Sequence, residues 1–347
     1  MTKQRTEISE LGEFRLIRHI TKNFEPVNSS TILGIGDDAA VIDCKDQLTV
    51  VSTDLLIEGI HFDMMYFPLK HLGYKAVAVN LSDIYAMNAK PQQITVSLAL
   101  SSRFSVEAIE EIYDGIRQAC KNYQVDLVGG DTTSSLKGMI ISVTAIGTAS
   151  KEQLTYRGGA NPDDILCVSG DLGGAYIGLQ LLEREKQIFI ENPNIQPKLD
   201  KHQYTVGRML KPEPRADIIK LLGDKNVKPT SMIDISDGLS SELLHLCKAS
   251  QTGCRIEEEA IPINNATFNT ALDFNIDPTT CALNGGEDYE LLFTITPSDL
   301  DKVKNMLDIA IIGKMTPPQS GARLMSRKGN LHTLIAQGWQ AFEEKKQ

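Results

Sequence analysis

The spacing of apolar residues changes period several times along the chain. From Leu11 to Phe24 they recur at helical intervals and stop before Pro26, which predicts an amphipathic helix. Short runs rich in β-branched residues follow at Leu48–Thr53, Gln93–Leu100, Val125–Val128 and Met139–Ala145, each bounded by turn formers. Between them, Leu72–Met87 and Val106–Tyr123 have helical length and period. Strands alternating with helices predict an α/β or α+β domain. The pattern breaks over Ser150–Asp164, where Arg157-Gly-Gly-Ala-Asn-Pro-Asp-Asp164 is turn-rich. We place a boundary there, giving domains of residues 1–150 and 151–347. The second half repeats the mixed pattern, with strands at Ile165–Ser169, Ser231–Ile235 and Tyr289–Thr296. Its helices are predicted at Ala175–Glu185, Pro214–Leu222 and Leu239–Ser250. Glu191–Gln203 holds two prolines among polar residues and reads as a surface loop.

Composition narrows the function classes. The 347 residues carry a formal net charge of -10. No Lys/Arg cluster supplies the basic face that a nucleic-acid binder needs. No apolar run is long enough to cross a membrane, and no apolar stretch behind Met1 resembles a signal peptide, so a cytoplasmic location is expected. Cysteine occurs six times without a C-x-x-C pair, and the neighbours are apolar, as around Cys167. That favours reduced structural thiols over zinc or redox use.

Aspartate recurs beside the predicted strands. Asp37 and Asp38 lie in the glycine-flanked Gly34-Ile-Gly-Asp-Asp38. Ser52, Thr53 and Asp54 close Val50-Val-Ser-Thr-Asp54, and Gly129-Gly-Asp131 closes another run. Asp83 follows Asn80-Leu-Ser, and Asp234 and Asp237 sit in Ile233-Asp-Ile-Ser-Asp-Gly238. Any one of these could be a turn or a helix cap. Together they are read as carboxylates at strand ends, on the rim where α/β sites form. Gathered carboxylates repel unless cations separate them. Oxygen donors with hydroxyls and no His/Cys cluster point to Mg²⁺. His61 and Trp339 each admit a purely structural role, and Glu287 and Asp288 fall in a glycine turn before a strand. Ser169–Gly178 is glycine-rich but does not meet G-x-G-x-x-G, so it reads as the start of a helix. Neither a P-loop nor the protein-kinase motif set occurs.

In order along the chain, these strings resemble the thiamine-monophosphate kinase family, within the aminoimidazole-ribonucleotide synthetase superfamily. The matching strings are Gly-Glu-Phe14, Gly-Ile-Gly-Asp-Asp38, Ser-Thr-Asp54, Glu-Gly-Ile-His-Phe62, Asn-Leu-Ser-Asp83, Gly-Gly-Asp131, Arg-Gly-Gly-Ala160, Lys-Pro-Glu-Pro-Arg215, Ile-Asp-Ile-Ser-Asp-Gly238 and Gly-Gly-Glu-Asp-Tyr-Glu-Leu291. The resemblance implies a two-domain PurM-like fold, α/β plus α+β. In it the N-terminal α/β domain binds ATP and Mg²⁺ and its sheet pairs with its twin into a dimer barrel; the C-terminal domain is α+β. It implies ATP-dependent conversion of thiamine monophosphate to thiamine diphosphate and ADP, with several Mg²⁺ ions. Asp38, Ser52, Thr53, Asp54, Asp83, Asp131, Asp234 and Asp237 match the family's metal positions. Gly130, Asp131, Arg157 and Ser236 match its ATP contacts, and His61, Glu287 and Trp339 its contacts to the thiamine phosphate. Asp54, Asp83, Asp131 and Arg157 are the expected catalytic set. Asn88 stands where the family usually has glycine, a position Asn tolerates in the left-handed region. The 191–203 loop looks longer than usual.

Charge then suggests the chemistry. The acceptor is a phosphate with a second pKa of about 6, so it is nucleophilic at pH 7 without a general base. The obstacle is repulsion between polyanions, about 4 kcal/mol for each pair of unit charges at 4 Å and an effective dielectric of about 20. Mg²⁺ and Arg157 would neutralise and align the phosphates, and Trp339 could cover the thiazolium for about 0.5–2 kcal/mol. Two other readings stay open: another ATP-using synthetase of the superfamily, and a non-catalytic metal-binding protein.

Overall fold

Helix α1 (Leu69–Ala86) is buried around most of its circumference and carries few charges, the signature of a helix with structure on several sides. Its neighbour α2 (Val106–Tyr123) buries only one stripe, from Val106 to Cys120. The Ser105 hydroxyl caps α2 by accepting the Ala108 N–H, and left-handed Gln124 ends it. These helices belong to the first of two units, Met1–Leu154 and Thr155–Gln347, in a computed structural model that describes residues 19–33, 41–43 and 47–338. Most of the predicted helix Leu11–Phe24 lies outside the described residues; the described part is helical at 19–21.

The first unit pairs β1 (Thr31–Leu33) with β2 (Val41–Ile42). It also builds a four-stranded sheet from β3 (Leu48–Ile57), β4 (Lys90–Leu100), β5 (Asp126–Ser134) and β6 (Ile140–Ala149), in the order β3-β6-β4-β5. Only β4 and β5 run parallel, and α2 spans the length that a parallel crossover requires. The helices cover one face: Ile141, Val143 and Ala145 alternate inward on β6 while Ile140, Ser142, Thr144 and Ile146 face out half-buried. The outward face of β3 leaves Val51 and Leu55 61% and 49% exposed.

The second unit has a seven-stranded sheet ordered β13-β12-β9-β11-β7-β10-β8. Its strands are β7 (Ile165–Ser169), β8 (Ser231–Asp234), β9 (Gly253–Glu257), β10 (Leu291–Ile295), β11 (Ile309–Thr316), β12 (Ala322–Met325) and β13 (Leu331–Thr333). Strands β8 and β10 are buried at every residue, and the helix Leu239–Ser250 packs on both. Helix α3 (Gly174–Glu191) packs with α4 (Gln203–Leu210), followed by α5 (Ala216–Asp224). Helix α6 (Leu239–Ser250) lies on the sheet, and α7 (Asn265–Asp273), α8 (Pro278–Asn284) and the short α9 (Leu300–Val303) complete the unit. Part of the expected 191–203 loop is ordered structure, a 3₁₀ turn at Asp200–His202 leading into α4. Asn88 takes the left-handed conformation, φ 54°.

Helices α1 and α2 meet backbone to backbone at Gly73 and Gly115. A Cβ on Gly73 would lie 1.9 Å from the Ile112 carbonyl oxygen, and one on Gly115 1.9 Å from that of Lys70. Gly73→Ala should therefore destabilise the protein by about 1–3 kcal/mol through overpacking. Gly207→Ala, on α4 with nothing within 4 Å of the new methyl, should be neutral or stabilise by up to about 1 kcal/mol. Denaturant midpoints of the two variants check this, and equal midpoints would contradict the close helix crossing.

Candidate active site

In the first unit, Ser52, Asp54 and Asp83 come together. Ser52 and Asp54 are two residues apart on β3 and so share a face. The Ser52 hydroxyl donates to Asp83 Oδ2 on α1 at 2.5 Å. The main-chain N–H of Asp54 donates to Asn80 Oδ1, one turn before Asp83, at 2.9 Å. Thr53 points the other way and its hydroxyl donates to the Val143 carbonyl at 3.0 Å. Asp54 and Asp131 are not at strand ends, as the sequence reading expected. Asp54 lies inside β3, and Gly129, Gly130 and Asp131 continue β5. The parallel pairing with β4 absorbs the glycines in an irregularity at Ile94/Thr95 instead of turning the chain. By register Asp131 stands in the row of Ser97, Ser142 and Leu55, one row from Asp54, Val143 and Val96, so it projects from the opposite face of the sheet to Asp54, on the side of Thr53. Asp131 is exposed, and Gly130 sits hard against the Val96 carbonyl. His61 is half-buried in the turn after β3, and its Nδ1 accepts the Ile57 N–H at 3.0 Å. A neutral ring there carries its proton on Nε2.

In the second unit, Asp234 ends β8 and Ser236 and Asp237 form the turn into α6. Ser236 is exposed, Asp237 half-buried and Asp234 buried. Burial pushes the Asp237 carboxyl above its ordinary value; His245 opposes the shift and the Glu287 carboxylate adds to it. Glu287 belongs to the turn between α8 and β10, where Gly286, Glu287 and Tyr289 are all left-handed, at φ 70°, 63° and 52°. Gly286 has no alternative, since a Cβ would lie 2.5 Å from the Ser236 carbonyl oxygen. Glu287 and Tyr289 cost about 1–2 kcal/mol each in this region. The turn is held by Glu287 N–H to Ser236 O at 2.7 Å and Tyr289 N–H to Ile235 O at 2.8 Å. Backbone strain of this kind collects at functional sites. Arg157 is exposed, and among the described residues its side chain forms no ion pair. Asp38 and Trp339 lie outside the described residues.

Among the described residues, no three His, Cys, Asp or Glu side chains gather closely enough to hold a metal ion. The donor chemistry is nevertheless that of a hard cation: in the first unit the hydroxyl of Ser52 and the carboxylates of Asp54 and Asp83, in the second Asp234 and Asp237, all oxygen. The five described cysteines are free and buried. Burial pushes the Cys120 and Cys167 thiols up to about 12, so both are inert.

The description of the N-terminal domain of AIR synthase related proteins matches residues 36–149, and that of the C-terminal domain matches residues 161–325. A Bacillus subtilis (strain 168) protein named thiamine-monophosphate kinase is 36% identical over 295 residues, covering 85% of this chain and 86% of the relative. The chain belongs to the thiamine-monophosphate kinase family. The crystal structure of the family member from Stenotrophomonas maltophilia K279a superimposes with a TM-score of 0.76 at 31% identity, covering 91% of this chain and 95% of that one. A structure described as AaThiL complexed with AMPPCP and TMP gives 0.74 at 30% identity, covering 99% and 100%. The two-domain fold implied by the resemblance is the fold observed.

Sequence reasoning missed Glu242. It lies in the first turn of α6, is 2% exposed, and its Oε1 accepts the Asp237 N–H at 3.1 Å. Its spacing five residues after Asp237 was the available signal, hidden by the ordinary look of a glutamate near a helix start. Burial, with help from Asp237 and Asp234, pushes its carboxyl up to about 8 against two backbone N–H donors. The folded value exceeds the unfolded one, 4.5. The associated stability is therefore complete below the lower value and is lost as pH rises through the upper. Glu242→Gln is neutral throughout and escapes this loss. In EDTA, the variant should gain on the parent between about pH 5 and about pH 8.5, reaching an advantage on the order of a few kcal/mol. Unfolding curves at the two pH values check this, and parallel pH dependences would contradict it.

Proposed function

We propose that this chain transfers the γ-phosphoryl group of ATP to thiamine monophosphate, giving thiamine diphosphate and ADP. The observation that carries the reading is the likeness, over both units, to family members and to a structure described as complexed with AMPPCP and TMP. The acceptor oxygen belongs to a phosphate that is largely dianionic at pH 7, so the chain need not supply a base. His61 agrees with that role, because its Nδ1 accepts the Ile57 N–H, so a neutral ring carries its proton on Nε2 and has no lone pair left to act as a base. His61, Glu287 and Trp339 would bind the acceptor, and Gly130, Asp131, Arg157 and Ser236 the nucleotide. Arg157, exposed and without an ion pair among the described residues, would offer a forked donor to phosphate oxygens.

Mg²⁺, when bound, would neutralise phosphate charge and orient the in-line transfer. The residues that would hold it are Asp38, Ser52, Thr53, Asp54, Asp83, Asp131, Asp234 and Asp237, and of these Ser52 and Asp83 are already joined. Residues 1–150 would form the nucleotide- and metal-binding domain and residues 151–347 the second domain. The first would also be the dimerising one. Val51 and Leu55, exposed on the outward face of β3, support pairing of that face with a second copy. No described helix is long and apolar enough to cross a membrane, and a cytoplasmic homodimer acting on small molecules is the reading we adopt.

Asp54→Asn and Asp131→Asn should each reduce formation of thiamine diphosphate at least about a hundredfold while the thermal unfolding midpoint stays near that of the parent. Near-parental turnover by either purified variant at millimolar Mg²⁺ would overturn the assignment.

A further inference from the structure

The turn that presents Glu287 also contains Asp288 and Glu290, each 1% exposed and neither accounted for by the phosphate chemistry. A buried carboxylate has to be compensated by cations or by several N–H donors. Glu290 accepts Nη1 of Arg208 at 2.8 Å, Nη1 of Arg215 at 2.6 Å and the Ser169 hydroxyl at 2.5 Å. Asp288 accepts the Gly173 N–H at 2.7 Å and the Ala175 N–H at 3.4 Å, at the start of α3. Arg208, on α4, links the two. Its Nη2 lies 3.7 Å from the Asp288 carboxylate and donates to the main-chain carbonyls of Asp288 and Asp171, each at 3.1 Å.

This arrangement explains how the strained turn persists. Glu287 and Tyr289 are left-handed, while Asp288 and Glu290 are anchored to guanidinium groups and helix N–H donors. Releasing the anchors would let the turn relax out of the left-handed region and carry Glu287 away from Asp237, on whose carboxyl it now acts. Arg215, the last residue of the Lys-Pro-Glu-Pro-Arg215 string, thereby finds a purpose in holding Glu290 alongside Asp217.

We propose that Arg208 is a positioning residue for the acceptor: its fork, seated on Glu290 and on the main chain of Asp288, holds the 286–290 turn in the conformation that presents Glu287 to thiamine monophosphate. The proposal rests on the reading of Glu287 as an acceptor contact. A lysine keeps the charge but cannot make four divergent contacts from one planar group.

The test compares Arg208→Lys, Glu287→Gln and the double variant for kcat, for KM of thiamine monophosphate and of ATP, and for amide hydrogen exchange at Glu287 and Tyr289. Arg208→Lys should raise the acceptor KM about tenfold, the equivalent of about 1.4 kcal/mol, leave the ATP KM near parental, and speed exchange at both amides. It should add little in the Glu287→Gln background, as expected of residues acting through one another. An equal rise in both KM values, a fall in kcat with unchanged exchange, or full additivity would overturn it. If Arg208→Lys does not fold, Arg215→Lys, which loosens the same Glu290 carboxylate, is read by the same criteria. An unchanged acceptor KM in Glu287→Gln would sink the reading of Glu287 and the proposal with it. A raised one without any effect of Arg208→Lys would sink the positioning role alone.

Discussion

Carboxylates brought together in a folded chain repel, and the second unit handles that repulsion in two ways. Around Glu290 the protein supplies its own compensation, two arginines and the Ser169 hydroxyl; Asp288 beside it accepts the Gly173 N–H, yet burial still pushes its carboxyl up to about 7. Around Asp237 and Glu242 its own compensation falls short, and both carboxyls are pushed above their ordinary values. The first arrangement is a structural clamp, stable without added ions. The second is a place where a divalent cation would be welcome, because it would supply what burial has removed. Under the proposed function, a chain with ten more negative than positive charges would handle polyanionic substrates in this way, with Arg208 and Arg215 held for fixed geometry and phosphate charge met by metal and Arg157.

The same division explains what was legible in the sequence. Helix α2 was read to the residue, because its apolar stripe, its Ser105 cap and its left-handed end are all local. The glycine-rich Ser169–Gly178 segment was read as a plain helix start, and α3 begins there, at Gly174. The aspartates were recognised, but two were placed wrongly along their strands. Gly129-Gly130 reads locally as a turn, and only pairing with β4 reveals that the strand continues through it. Helix α4 went unseen in a polar, proline-bearing stretch, and with it Arg208, whose partner Glu290 is 82 residues away. No local periodicity encodes such a pair. Strands β9 and β11 to β13 were also unseen, several being short and only partly buried.

Strain and function coincide in the 286–290 turn. Two non-glycine left-handed residues would be unfavourable in a free loop. Here they are over-determined by main-chain bonds to residues 235 and 236 and by the arginine clamp. The consequence is that Glu287 and the Asp234–Asp237 turn form one rigid piece, since each holds the other by backbone hydrogen bonds. In the first unit the Ser52–Asp83 bond and the Asp54–Asn80 bond do the corresponding work, tying β3 to α1. Oxygen donors fixed in advance lose little freedom when a ligand arrives, which is what preorganised electrostatic catalysis requires.

In the chemistry proposed, a phosphate, and not an alcohol, is the nucleophile. The most direct measurement offers the purified protein ATP and Mg²⁺ with either thiamine monophosphate or free thiamine, and follows the phosphorus resonances of the products. A diphosphate ester should appear in step with ADP from thiamine monophosphate, and free thiamine should not be phosphorylated. Comparable phosphorylation of free thiamine, or release of inorganic phosphate in place of the diphosphate, would contradict it.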